Sequence, residues 1–282
     1  MATMREIKRR RSSIQSTQQI TKAMKLVSTV KLQKARTHAE NAKAYFQYMY
    51  QTITSVLAQA GHIEHPYVNG TGAKKVGIVV VTSNRGLAGG YNANIVHMIA
   101  NSDFEKEQVC LYTVGKKGAD GLNRKGYEVA FDYSDMIEEP KFQDAKVISE
   151  QLLQDFANGK IGEIYLAYTE FKNTVSQIPK LIKLLPVEPS TEQTKDITLM
   201  NFEPSEEEVI ERLIPQYMTS ILYGAFVEAV ASENGARMQA MDSATNNAEE
   251  IINELELKYN RARQGAITQE LTEIIAGAEA IG

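Results

Sequence analysis

The chain has 282 residues, 43% of them hydrophobic and 23% charged, which is enough apolar material to bury one large core or two smaller ones. A single cysteine, Cys110, excludes an internal disulfide and is typical of a reducing compartment. No run of about 18 apolar residues is present, so no membrane-spanning helix is expected. The net charge of −4 is uneven, because residues 1–36 carry ten Lys or Arg and one acid, Glu6.

The first segment, residues 1–60, contains neither Gly nor Pro, and its composition predicts one long helix. In its second half, apolar residues alternate at spacings of three and four, the pattern of a coiled-coil seam. These residues are Ala35, Ala39, Ala42, Phe46, Met49, Ile53 and Val56. In the first half we expect a narrower stripe of Ile7, Ile14, Ile20, Met24 and Val27, with Thr21 and Ser28 as small or polar seam positions.

The second segment, residues 70–190, alternates apolar runs with helical patterns. The expected strands are KKVGIVVVTS, QVCLYTV, YEVAFDY, EIYLAYTEF and QIPKLIKLLPV, and the expected helices are NANIVHMIAN and FQDAKVISEQLLQDFANGK. Strands that are apolar throughout indicate a mostly parallel sheet covered on both faces. The segment is therefore predicted to be a central Rossmann-like α/β domain.

Two glycine-rich stretches follow strands and invite comparison with phosphate-binding loops. GLAGGYN lacks the Gly-Lys-Ser/Thr ending of a P-loop and the spacing of a dinucleotide fingerprint, and VGKKGADG has no hydroxyl residue for Mg²⁺ after its lysines. We interpret both as tight strand-to-helix turns. No nucleophile elbow, zinc spacing or Ser/His/Asp order stands out, so the sequence predicts no catalytic residue, no metal site and no cofactor.

The third segment, residues 205–282, is predicted to be a second long helix. Ser205 followed by Glu208 fits a capping box at its start, and Pro215 is expected to kink its first turns. Seam-compatible residues then alternate at spacings of three and four over about four heptads. They are Met238, Met241, Thr245, Ala248, Ile252, Leu255, Tyr259, Ala262 and Ala266.

The simplest arrangement pairs the two terminal helices as an antiparallel coiled coil that flanks the α/β domain. The C-terminal helix is expected to be the longer by roughly fifteen to twenty residues. Its tip is apolar on several faces and carries no basic residue. An unpaired apolar helix end needs a partner that covers it.

The basic N-terminal helix has three interpretations: a solvated face, a nucleic-acid-binding surface, or a surface that docks on acidic protein. Nine net positive charges over 36 residues exceed what solubility requires. The cluster IKRRRSS is typical of nucleic-acid-binding proteins, but interleaved aromatic residues and a recognisable reading module are absent.

Three stretches resemble the γ subunits of bacterial-type F-type ATP synthases. They are MREIKRRRSSIQSTQQITKAMKLVSTVKLQKA, TSNRGLAGGYN and ASENGARMQAMDSATNNAEEIINELELKYNRARQGAITQELTEIIAGAEAI. With the helix–α/β–helix layout, the resemblance covers essentially the whole chain. It implies a non-catalytic central-stalk rotor that transmits c-ring rotation to three catalytic beta subunits.

The implied partners are three alpha and three beta subunits, an epsilon subunit and the c-ring, with no nucleic acid. The implied location is the cytoplasmic face of a bacterial cell membrane, with membrane association only through Fo. Bacterial origin is favoured because no presequence is recognised. A basic coiled-coil nucleic-acid-binding protein is the main alternative, and an α/β enzyme with helical arms is the weaker one.

The resemblance also implies roles for particular residues. Those that match contacts with the beta catch loops are Arg263, Gln264 and Thr268. Those that match neck and lever contacts are Met24, Arg237, Arg9 and Arg10. The apolar bearing tip is formed by Ile267, Leu271, Ile274 and Ile275. For Met24, packing in the helix seam is an equally good interpretation.

Overall fold

The computed structural model describes residues 3–59, 65–187, 203 and 205–279. The helices are α1 (Met4–Gln59), α2 (Pro66–Asn69), α3 (Tyr91–Ala100), α4 (Lys116–Asn123), α5 (Phe142–Ala157) and α6 (Glu206–Glu279). The strands are β1 (Val76–Val81), β2 (Val109–Val114), β3 (Val129–Asp132), β4 (Glu163–Phe171) and β5 (Gln177–Leu185).

The five strands form one sheet in the order β3-β2-β1-β4-β5. The pairs β1–β2, β1–β4 and β2–β3 are parallel, and β5 runs antiparallel to β4 at one edge. Each strand prediction is confirmed, and so is the mostly parallel sheet. Consecutive residues of β1 are buried on opposite faces, as a sheet covered on both sides requires.

On one face of the sheet, Val79 and Val81 of β1 lie in a core with residues of α5, α6 and the end of α1. On the other face, Ile78 and Val80 pack with residues of α3 and α4. The predicted seam residues Ala35, Ile53 and Val56 of α1 are buried. Ala39 and Met49 are half-buried, which fits the same pattern. The side chains of Ala42 and Phe46 lie outside the described residues.

The second glycine-rich stretch is a tight turn into α4, with Gly115 at a φ of 118°. A Cβ there would meet the carbonyl oxygen of Thr82 at 2.2 Å, so a side chain at this position does not fit. The first stretch is longer, since nine residues separate β1 from α3. It also contains Leu87, whose φ of 62° is unusual for a residue other than glycine.

The chain divides into two compact units. One contains residues 29–237, and the other contains residues 1–28 and 238–282. Both long helices contribute residues to both units. Helix α6 begins as predicted, because the backbone N–H of Glu208 donates to Ser205 Oγ at 3.3 Å, and Pro215 lies inside the helix.

Hydrogen bonds to the buried side chain of Asp155 join β2 to the end of α5. The hydroxyl of Tyr112 donates to Asp155 Oδ2 at 2.5 Å, and Lys160 Nζ donates to the same oxygen at 3.1 Å. Burial, reinforced by the hydrogen bond to Asp155, raises the pKa of Tyr112. The phenol therefore stays neutral and acts as a donor to the carboxylate.

We predict that Tyr112→Phe lowers the free energy of unfolding by about 1–2 kcal/mol, because a buried carboxylate loses a hydrogen-bond donor. Urea unfolding of the full chain, followed by circular dichroism, measures the change. Tyr48→Phe is the matched control, since Tyr48 is exposed, and it should change the value by less than about 0.5 kcal/mol. Equal effects of the two substitutions would contradict this role for Tyr112.

Candidate functional site

The unit of residues 1–28 and 238–282 is an antiparallel pair of helices. Three side-chain contacts fix its register: Arg11 with Glu256 at 3.3 Å, Thr21 with Thr245 at 2.8 Å, and Lys25 with Asp242 at 2.6 Å. Residue numbers rise along α1 while their partners fall along α6 in similar steps. The predicted antiparallel coiled coil is therefore confirmed.

The α6 side of the seam agrees with the sequence pattern at every predicted position. Met241, Ala248 and Leu255 are buried. The other six seam residues are half-buried: Met238, Thr245, Ile252, Tyr259, Ala262 and Ala266. The intervening residues from Glu249 onward are exposed, so this part of α6 buries one narrow stripe.

On α1 the predicted stripe was partly wrong. Ile20 and Val27 are each 58% exposed, whereas Thr21 and Ser28 are buried at 8% and 2%. Ile7 is buried and Ile14 half-buried as expected, so the seam follows positions 7, 14, 21 and 28. Ile20 and Val27 each precede a seam position by one residue and are rotated about 100° away from it. Their side chains form an exposed apolar stripe with Leu26 and Val30.

Part of the basic charge of α1 is matched within the chain. Arg11 pairs with Glu256 and lies over the ring of Tyr259, and Lys25 pairs with Asp242. Arg9 and Arg10 are exposed. These two arginines therefore remain on the solvent side of the helix pair.

The residues that match catch-loop contacts all lie on the exposed surface of α6. Arg263 and Gln264 are exposed, and so is Thr268, whose hydroxyl donates to the carbonyl of Gln264 at 2.9 Å. Beyond Ala266, every residue from 267 to 278 is exposed. The large apolar side chains of this segment are exposed by roughly half or more; they are Ile267 (48%), Leu271 (54%), Ile274 (68%) and Ile275 (59%).

Met24 and Arg237, which also match neck and lever contacts, differ in their surroundings. Met24 is half-buried. The Arg237 side chain is only 11% exposed and forms an ion pair with Glu233 at 2.7 Å. Its Nη2 also faces the carbonyl oxygens of Gly86 at 3.3 Å and Arg85 at 3.5 Å. The partnership with Glu233 was missed from the sequence, although the two residues are four apart on one helix, a spacing typical of such pairs.

Among the described residues, no group of three His, Cys, Asp or Glu side chains could hold a metal ion. Within the same part of the chain, no helix is long and apolar enough to cross a membrane. The arrangement consists of a sheet unit and a helix pair with an uncovered apolar end. It defines a class of protein in which an α/β unit carries a coiled coil.

Comparison with known proteins identifies the family within this class. A family model described as ATP synthase matches residues 3–281. The chain is 58% identical to the ATP synthase gamma chain of Lachnoclostridium phytofermentans, with all of both chains covered. It is 39% identical to the sodium ion specific ATP synthase gamma chain of Acetobacterium woodii, over 99% of this chain and 98% of that one.

Solved structures agree with this result. The central stalk and c-ring of the Tetrahymena thermophila mitochondrial ATP synthase contains a chain that is 27% identical, with a TM-score of 0.58 over 80% of this chain and 99% of that one. A Euglena gracilis mitochondrial ATP synthase contains a chain with the same fold, with a TM-score of 0.74 at 20% identity over 99% and 94% of the two chains.

The chain belongs to the family of ATP synthase gamma chains, the non-catalytic subunits that form the central stalk of the rotor. The fold class and the function inferred from the sequence are confirmed. The alternative of a nucleic-acid-binding protein finds no support among these relatives.

The hydrogen bond between Thr21 and Thr245 is predicted to help set the register of the coiled coil. Replacing either threonine by valine should lower the free energy of unfolding by about 1 kcal/mol, because one hydroxyl loses its partner in the seam. The double replacement should cost less than the sum of the two single ones.

Thermal unfolding followed at 222 nm tests this double-mutant cycle on the full chain. Thr17→Val is the control, because Thr17 is exposed and its hydroxyl donates only to its own helix, at Ser13. Strictly additive costs for Thr21 and Thr245 would show that the two hydroxyls do not interact.

Proposed function

We propose that the coiled coil turns inside a ring of three alpha and three beta subunits and transmits the rotation of a c-ring to the three catalytic sites. In this proposal the α/β unit joins an epsilon subunit and the c-ring. The assembly lies at the cytoplasmic face of a bacterial cell membrane, and the chain meets the membrane only through Fo. The reverse reaction drives ion pumping by ATP hydrolysis.

The uncovered tip of α6 is the observation that carries this proposal. The large apolar residues Ile267, Leu271, Ile274 and Ile275 are exposed, and their i, i+4, i+7, i+8 spacing places them along one stripe of the helix about 100° wide, not on the several faces expected from the sequence. A partner that covers this stripe while the shaft turns must present apolar surface on all sides of the helix, as a sleeve does. A hydrophobic sleeve lets a helix turn because apolar contacts are not directional.

The exposed basic residues of α1 supply a second type of contact. Arg9 and Arg10 face solvent, and the apolar stripe of Ile20 and Val27 continues to the exposed Lys31, four residues after Val27 on the same side of the helix. This combination suits an acidic surface with apolar side chains, such as the lever segments of the beta subunits. Complementary charge would favour docking without fixing a single orientation.

Rotation can change catalysis only through unequal contacts. The shaft can drive three beta subunits of identical sequence into different conformations only if it stabilises each one differently, because a ligand shifts an equilibrium by its differential affinity. The coiled coil has such asymmetry, since its α1 face is basic while α6 carries Asp242, Glu254 and Glu256. In each orientation these faces would meet different beta subunits.

We propose that the polar residues next to the tip bind the catch loops of the beta subunits. Arg263 and Gln264 are exposed and offer several N–H donors to a loop of one beta subunit. Thr268 already donates to Gln264, so its oxygen is left to accept a hydrogen bond. Contacts of this kind form with one beta subunit at a time.

Removal of residues 267–282 tests whether the tip of α6 is held by a hydrophobic sleeve in the partner subunits. The truncated chain is coexpressed with the alpha and beta subunits of the same organism, and the complex is isolated by size exclusion and assayed for ATP hydrolysis. We expect a complex of three alpha, three beta and one gamma chain whose hydrolysis is weakened by the truncation. A full-length chain that elutes alone and leaves the activity of the ring unchanged would refute the proposed function.

The double variant Arg263→Ala/Gln264→Ala tests the contact with the beta catch loops. Loss of hydrogen bonds from a charged group should slow hydrolysis by the complex by about tenfold. Arg261→Ala is the matched control, because Arg261 is an exposed arginine about 200° around the same helix from Arg263, and we expect little change. Equal rates for the variant and the control would rule out this role for Arg263 and Gln264.

A further inference from the structure

The carboxyl edge of the parallel strands is the place where sheets of this type usually bind a ligand. Here helix α6 lies across it. The hydroxyl of Tyr91 donates to the carbonyl of Ala229 at 3.2 Å, and Ser232 Oγ donates to the carbonyl of Thr169 at 3.0 Å. Burial raises the pKa of Tyr91 well above its ordinary value, so the phenol remains a donor.

Small residues on α6 allow this close approach. Ala229 and Ser232 are fully buried, and Ala236 packs against Ala88 and Tyr91 in a small cluster of its own. A Cβ on Gly235 would lie 3.4 Å from the Gln177 side chain. The helix therefore contacts the sheet edge through its backbone and short side chains over about two turns.

Arg237 is the last residue of this unit on α6. Its guanidinium joins the carbonyl oxygens of Gly86 and Arg85 to the carboxylate of Glu233, and both charged side chains are at most 15% exposed. One planar group with five donors in a fixed fork suits these contacts, whereas a lysine ammonium has three donors and lacks this geometry. Arg237 thus connects the helix to the glycine-rich loop at the point where the helix leaves the unit.

The loop itself is held in place on its other sides. The backbone N–H of Ser83 donates to Asn92 Oδ1 at 2.9 Å, and Ser83 Oγ donates to the carbonyl of Arg85 at 2.7 Å. Asn84 accepts from the N–H of Lys116 at 3.0 Å and donates to the carbonyl of Ser134 at 2.8 Å. The loop is therefore anchored to α3 and α4 as far as the carbonyl of Arg85, next to Gly86.

We propose that Arg237, oriented by Glu233, is a positioning residue that locks α6 to the glycine-rich loop, and that this clamp carries torque from the α/β unit into the helix. The inference rests on the proposed function. It places Arg237 inside the rotor, in contact with its own chain, and gives the GLAGGYN loop a mechanical role instead of a phosphate-binding one. Weakening the clamp would let α6 twist against the sheet under load.

The test is the ratio of ions pumped to ATP hydrolysed by the complete ATP synthase in sealed vesicles. We expect Arg237→Ala to lower this ratio by at least about twofold while hydrolysis is retained, and Arg237→Lys to have an intermediate effect. Arg212→Ala is the matched control. Arg212 also pairs with a glutamate four residues earlier on α6, at 3.6 Å, but its side chain is 78% exposed. A wild-type ratio for Arg237→Ala would overturn the clamp.

A disulfide between the same two elements separates mechanical coupling from a loss of folding. Ala88→Cys and Ala236→Cys replace two residues that pack together, and Cys110→Ser removes the native thiol. In the Arg237→Ala background, oxidation should restore the pumping ratio and reduction should lower it again. No recovery once the disulfide has formed would contradict the clamp.

Wild-type complexes are measured in parallel, with pumping followed for both H⁺ and Na⁺ because one relative is named sodium ion specific. Failure of the wild-type chain to assemble into the complex would refute the proposed function, and the clamp proposal with it. A wild-type complex that pumps normally alongside an unaffected Arg237→Ala variant would remove only the clamp.

Discussion

The continuity of α6 is the constraint on which the rest of the structure depends. One uninterrupted helix of 74 residues passes through three environments. It is largely buried among the α/β elements up to Ala236, it buries one stripe between Met238 and Ala266, and it is exposed from Ile267 onward. The burial pattern along α6 therefore separates the part that packs in the α/β unit, the part that pairs with α1 and the part that is open to a partner.

The seam of the coiled coil is built from small and polar residues as well as apolar ones. Thr21, Ser28 and Ala248 are buried where a strong dimer would carry Leu or Ile. Such a seam contributes less apolar burial, but it lets the backbones approach closely and sets the register through the Thr21–Thr245 hydrogen bond. Large apolar side chains lie instead on the exposed surfaces of α1 and of the tip.

Periodicity revealed most of this arrangement in the sequence. The strands, the α6 seam and the uncovered tip each carry an apolar pattern that no alternative structure explains as well. The first half of α1 was harder, because Ile20 and Val27 are more hydrophobic than the adjacent seam residues Thr21 and Ser28. The contacts of Arg237 with the glycine-rich loop and of Tyr112 with Asp155 were out of reach, since these partners become neighbours only after the chain has folded.

Observation of single complexes tests the central claim most directly. The ring is fixed to a surface through its beta subunits, and a bead is attached to a cysteine that replaces Val175, which is 75% exposed in the β4–β5 hairpin. With Cys110 replaced by serine and ATP supplied, the account predicts rotation in one direction, in steps that divide each turn among the three beta subunits. Sustained ATP hydrolysis by the same complexes, with a bead that is attached and stationary, would contradict it.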